Sequence, residues 1–178
     1  TYDLPATITA RSGYDAFMHA VESYLAKDHA WVPDRKITYQ GASRVSRSRS
    51  ATALELIYDS IEQSVLVSSN KDARRRLSLG SHLAGAAFTI SGLGMVHALA
   101  SSLGGIKDIP HGRCLSASTE AGLRYNLPAR KERYRELADI LAIETADGTS
   151  QATAFVDECI RVADQTGLPT SLAEVGFD

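Results

Sequence analysis

The sequence lacks the marks of several functional classes. Its charges nearly cancel, to −2 at neutral pH with a pI near 6.2, so it has none of the basic excess of a general nucleic-acid or anionic-membrane binder. Its two cysteines, Cys114 and Cys159, are too few for a disulfide scaffold. No uninterrupted apolar run reaches the roughly 18 residues of a membrane-crossing helix, and no signal-peptide pattern is present. The chain is therefore expected to be soluble and cytoplasmic, with no nucleic-acid or membrane partner. Repeats and low-complexity tracts are absent, and so are GxGxxG and P-loop turns that would cradle phosphate. Hardly any stretch alternates apolar and polar residues as a half-buried strand does.

What is present is helical periodicity along 178 residues, 44% of them hydrophobic, enough for one domain with a sizeable core. The expected class is all-α, with about seven helices in one domain over residues 1–178. A first helix is read from Arg11 to Lys27, burying Phe17, Val21, Tyr24 and Leu25. Residues 28–50 lose periodicity and read as a long surface loop. A second helix carries Ala53, Leu54, Ile57, Ile61 and Val65 on one face. A third, capped by Asn70, carries Leu77, Leu79, Leu83 and Phe88, and its small residues Gly85, Ala86 and Ala87 invite the opening segment to pack closely. A short helix from Met95 to Leu103 is expected to stop at Gly104 and Gly105. Another follows Pro110, one runs from Pro128 to Ile143, and Thr149 or Ser150 caps the last.

In "GYDAFMHAVE", Asp15 and His19 are four apart and share a helix face, about 5–6 Å apart at their roots. They can share a divalent metal or simply hydrogen-bond to each other. His97, among Val96, Ala98 and Leu99, needs a polar partner because an unpaired imidazole there costs roughly 1–3 kcal/mol. It is either a satisfied core residue or a ligand. His111, held by Pro110, either opens the next helix or ligates. Taken together, Asp15, His19, His97 and His111 make a His₃-carboxylate set suited to Fe(II) or Zn(II).

"SHLAGAAFTISGLGMVHALASSLGGIKDIPHG" (81–112), preceded by "TARSGYDAFMHAVESYL" (9–25), resembles the iron-containing (group III) alcohol dehydrogenases. The likeness is to their helical C-terminal domain, which is also similar to that of glycerol dehydrogenase and dehydroquinate synthase. "RYNLPARKERYRELADIL" and "GLPTSLAEVGF" resemble later landmarks of the same domain. The resemblance implies that Asp15, His19, His97 and His111 are the metal ligands and that the metal polarises the oxygen of a small alcohol or aldehyde. It implies NAD(P) as hydride carrier, bound by an N-terminal α/β domain absent from this chain, and a homo-oligomer for the full-length enzyme. The chain begins with Thr1 and reads as a fragment with little turnover of its own. Phe88 is placed either beside substrate and nicotinamide or in the core.

Where many family members carry a second histidine one turn after the first, this chain has Ser101, whose hydroxyl can pass a proton but cannot replace an imidazole base. Residues 27–50 hold six Lys/Arg (Lys27, Arg35, Lys36, Arg44, Arg47, Arg49) against Asp28 and Asp34, a local +4. They read either as a solvated insertion or as a gate attracting an anionic substrate. Arg74, Arg75 and Arg76 read as a solvated helix face. His29 and His82 read as surface or packing residues, Cys114 as a small buried residue, and Asp108 as an acceptor for His111 or a helix cap. Two other readings stay open: a dehydroquinate synthase-like lyase, whose family places glutamate at the first ligand, and a helical interaction domain that has lost catalysis.

Overall fold

A computed structural model describes residues 2–32, 41–145 and 149–177. Seven α-helices follow one another among them: α1 (Ala6–Leu25), α2 (Arg44–Tyr58), α3 (Ile61–Leu66), α4 (Lys71–Ser91), α5 (Met95–Ile106), α6 (His111–Ile140) and α7 (Gln151–Gln165). Two short 3₁₀ turns, His29–Trp31 and Ala173–Val175, complete the order. The described residues contain no strand, only an isolated bridge between Asp28 and Ala42, so the fold is all-α as expected. No single helix among them is long and apolar enough to cross a membrane.

Helix α1 is the axis of the fold. It packs against α2, α3, α4 and α6, and Tyr14, Phe17, Met18 and Val21 are fully buried along it. A helix covered on most sides must be apolar on most sides, which the AFMHAV stretch supplies. α6 runs alongside α1 in the same direction: Gly112 lies against Arg11, Tyr14 Oη donates to Thr119 Oγ1 (3.0 Å), and Tyr24 Oη donates to Glu136 (2.9 Å). α7 closes the far side of α6 with Phe155, Val156, Cys159 and Val162, all buried at helical spacing.

Five joints differ from the sequence reading. The second helix is two, α2 and α3, because Ser60 turns its hydroxyl back onto the Leu56 carbonyl (2.5 Å) and its N–H onto Ile57. The two helices expected after Pro110 run on as one element, α6, but are parted by a kink at Arg130 (φ −132°, ψ 21°), two residues past Pro128 instead of at it. α5 runs through Gly104 and Gly105 to Ile106. Of the expected loop 28–50, residues 44–50 are the opening of α2, capped reciprocally by Ser43 and Ser46, while Arg35, Lys36 and Asp34 lie outside the described residues. α1 begins at Ala6 and ends at Leu25 rather than spanning 11–27. The caps at Asn70 and Ser150 form as expected, each accepting from a backbone N–H three residues on.

Packing also corrects three side-chain readings. Leu79 is 51% exposed. The small residue that admits a neighbour to α4 is Gly80, where a Cβ would stand 2.6 Å from Ile57 of α2; Gly85 has open space. Arg74 is buried and donates to the carbonyls of Ser68 and Leu4, leaving only Arg75 and Arg76 on the solvated face, both paired with Asp72.

Below the C-terminal end of α1 sits a cluster built on Asp28. Its carboxylate is bonded by Arg47 of α2 and by Arg130 at the α6 kink (3.0 Å), with Arg133 at 4.0 Å. Arg130 also donates to the carbonyls of Leu25 (3.1 Å) and Ala26 (2.9 Å), satisfying acceptors left open where α1 ends, and covers the Trp31 ring. Burial alone would raise the Asp28 pKa, but its bonds to Arg47 and Arg130 hold it below the usual carboxylate value.

Candidate metal centre

Three elements converge on the middle of α1. Asp15 and His19 project from one face of α1, a turn apart. His97 arrives because the chain reverses after α4: Gly92 takes φ +76°, a conformation open to glycine at little cost, and α5 leaves at 97° to α4. His111 is the first residue of α6, and Gly112 lets α6 come close, since a Cβ there would stand 2.6 Å from the Arg11 carbonyl.

The result is a single carboxylate oxygen facing three imidazoles. Asp15 Oδ1 lies 3.3 Å from His97 Nε2, 3.5 Å from His111 Nε2 and 3.7 Å from His19 Nε2. The ligand atoms of Asp15, His19 and His97 all fall within 4.8 Å of one another. His97 is 7% exposed, whereas the His111 side chain is 44% exposed and forms the open side. The rings are ordered: His19 stacks on Phe88 (4.3 Å, 23°) and on His97 (4.6 Å, 17°), and His97 is tilted against His111 (5.7 Å, 45°). Among the residues singled out from sequence, this is where Phe88 lies, half-buried against a candidate ligand.

The electrostatics split the histidines. Burial, reinforced by nearby His97 and His111, lowers His19 to about 4 against the pull of Asp15, so its ring is neutral at pH 7 with a lone pair free. Burial also works against a charged His97, but its bonds to Asp15 and Glu22 prevail and raise it to about 9. Burial would raise Asp15; its bond to His97 and the neighbouring imidazoles lower it on balance.

Glu22 was not singled out from sequence. It is 2% exposed, one turn beyond His19 on α1, and accepts from His97 Nδ1 (2.6 Å) and from the backbone N–H groups of Val96 (2.8 Å) and His97 (3.2 Å). The available signal was a carboxylate at i, i+4, i+7 from Asp15 and His19, on a helix face otherwise apolar, where a charge needs a partner.

The remaining residues stay outside the cluster. Ser101 is exposed on α5, one turn after His97. Cys114 is buried, its thiol donating weakly to the Ile109 carbonyl (3.8 Å), and burial raises its pKa. Asp108 is exposed and does not cap α6, which has no side-chain cap. Of the basic residues between 27 and 50, Arg47 is tied to Asp28, and Arg44 and Arg49 are exposed on α2.

One carboxylate and three imidazoles at these distances suit a borderline divalent ion such as Fe(II) or Zn(II), while the described residues offer no thiolate set for a structural zinc. A helical domain presenting that donor set has the side chains that a metal-binding domain needs. The profile of the Fe-containing alcohol dehydrogenase family, C-terminal domain, matches residues 9–178. The chain is 34% identical over 177 residues to 1,3-propanediol dehydrogenase from Klebsiella pneumoniae, covering 97% of this chain and 42% of that protein. It is 31% identical over 175 residues to an NAD-dependent methanol dehydrogenase from Bacillus methanolicus, with the same coverage. The crystal structure of a 1,3-propanediol oxidoreductase superposes with a TM-score of 0.86 at 33% identity, over all of this chain and 44% of that one. The chain belongs to the iron-containing alcohol dehydrogenase family and spans less than half the length of these relatives.

Proposed function

We propose that this chain is the metal-holding domain of a two-domain, NAD(P)-linked alcohol dehydrogenase or aldehyde reductase acting on small alcohols and aldehydes. The observation that carries the reading is the convergence of three Nε2 atoms on one oxygen of Asp15, at 3.3 to 3.7 Å. One carboxylate oxygen and three imidazole nitrogens are the donor types a borderline divalent ion takes, and Asp15, His19, His97 and His111 would hold Fe(II) or Zn(II) there. When bound, the ion supplies Lewis acidity to the substrate oxygen. NAD(P) supplies hydride transfer, and we assign its binding to the length of the relatives that this chain does not span.

The chain's own residues have distinct tasks in this reading. His97, fixed from behind by Glu22, and His19, held between two rings, form the rigid floor. Exposed His111 forms the side from which substrate enters. Ser101, one turn along α5, offers a hydroxyl that can pass a proton between substrate and water. Among the described residues of that set, Lys27, Arg44 and Arg49 are the exposed cations that would draw in an anionic substrate, since Arg47 is engaged by Asp28.

The test is metal content by mass spectrometry after anaerobic refilling with Fe(II) or Zn(II). The expected outcome is about one ion per chain in the wild type and a sharp fall in His97→Ala. A wild type that stays empty, or a variant that fills equally, overturns the reading and favours a helical interaction domain.

A further inference from the structure

We infer that Glu22 is a positioning residue for the metal centre, fixing which nitrogen of His97 faces the ion and where the first turn of α5 stands; this rests on the metal reading above. Glu22 lies on α1, so one helix carries two ligands, Asp15 and His19, and the group that aims a third. Three N–H groups converge on its carboxylate, and both oxygens are used: Oε1 accepts from Val96 N–H, and Oε2 from His97 N–H and His97 Nδ1. Two of these donors belong to the first turn of α5, whose N-cap Gly94 provides no side-chain cap. The carboxylate therefore does from another helix what a capping residue does from within. The third donor is the ring itself. With its proton on Nδ1 and the bond to Glu22 made at 2.6 Å, His97 can offer only Nε2 to the cleft, 3.3 Å from Asp15.

The site also shows that room has been kept for this carboxylate. A Cβ on Gly94 would stand 2.6 Å from Glu22 Oε1 and 3.2 Å from its Cδ. Gly94 has φ −131°, which any residue adopts, so a side chain there is opposed by the carboxylate, which would have to shift, and not by the backbone. Nor would glutamine serve: a carboxylate only accepts, whereas an amide must turn an NH₂ group toward one of three converging N–H donors. Neither Glu22 nor Gly94 faces the ion, so a loss of metal affinity on changing either is transmitted through His97.

The experiment compares wild type, Glu22→Gln and Gly94→Ala, each as the metal-free chain titrated with Zn(II) against a chromophoric chelator. Thermal melting and the ¹H–¹⁵N resonances of histidine-labelled protein are recorded alongside. The expected result is a roughly 10- to 100-fold weaker Zn(II) affinity in Glu22→Gln, in the range for lost outer-shell partners, and a loss in the same direction in Gly94→Ala. The strongly deshielded Nδ1–H resonance of His97 is expected in wild type and absent from Glu22→Gln. If both variants lower the melting temperature but bind Zn(II) as tightly as wild type, Glu22 is only a helix cap and the inference falls while the metal reading stands. If wild type itself binds no Zn(II), both fall. If Glu22→Gln does not fold, Gly94→Ala decides the matter alone.

Discussion

Asp15 and Asp28 each gather three basic side chains around one carboxylate, and the difference between the two clusters lies in which base was chosen. Asp15 faces three imidazoles drawn from α1, α5 and α6; Asp28 faces three guanidiniums drawn from α2 and α6. A guanidinium is always charged and has no lone pair to give, so Arg47, Arg130 and Arg133 can only pin the chain. An imidazole can shed a proton and expose a donor pair, so the same geometry becomes a place where a cation can replace protons. The first cluster is open on the His111 side. The second is tied to Trp31 and to the carbonyls of Leu25 and Ala26 through Arg130.

Exchanging each aspartate for asparagine breaks the comparison most sharply. Asp15→Asn removes a candidate ligand and is expected to weaken Zn(II) binding beyond the roughly 100-fold that outer-shell changes produce, with the lesser effect on the melting temperature. Asp28→Asn is expected to leave Zn(II) affinity near wild type but to cost on the order of 3 kcal/mol at neutral pH, because guanidiniums remain half-buried without their partner. The sign with pH follows from the direction of the shift. Since the folded carboxyl titrates below its unfolded value, its contribution is present above about pH 4 and is lost as pH falls through the folded value. Urea midpoints of wild type and Asp28→Asn should therefore converge in acid.

A second contrast sharpens the same point at higher pH. Because Asp15 and Glu22 hold His97 to about 9 against burial, Zn(II) must displace a proton below that value. Its apparent affinity should rise by about tenfold per pH unit from 7 to 9 and then level off. The stability difference between Asp28→Asn and wild type should stay flat over the same interval, because a guanidinium is always charged. The smallest effect is expected at Ser101: in the assembled full-length enzyme, Ser101→Ala should slow turnover by less than about tenfold, below the usual range for a side-chain general base, because water can reach this exposed position. Zn(II) affinity should not move.

The two clusters were also unequally legible. The Asp15 set could be singled out because Asp15 and His19 stand one helical turn apart and His97 and His111 sit in an apolar, glycine-punctuated stretch, and the family resemblance joined the four. Asp28 could not be read: its partners Arg47 and Arg130 are 19 and 102 residues away, and isolated arginines resemble surface charge. Glu22 escaped for a similar reason, since its donors lie 74 and 75 residues on and two of them are backbone N–H groups, which every residue has. The helices themselves were visible through their periodicity, but their joints were not. Ser60 breaks a helix that its apolar face would have continued, while the division expected at Pro128 falls two residues later, as the kink at Arg130.

The ring of His19 is clasped on both faces, by Phe88 at 4.3 Å and by His97 at 4.6 Å. A ring so held cannot swing about its Cβ–Cγ bond, and its rotational entropy, on the order of 0.5–1.5 kcal/mol for an immobilised side chain, is given up when the chain folds and not when an ion arrives. The half-buried phenyl thus shifts an entropic penalty from the binding step to the folding step, where a whole hydrophobic core is available to offset it.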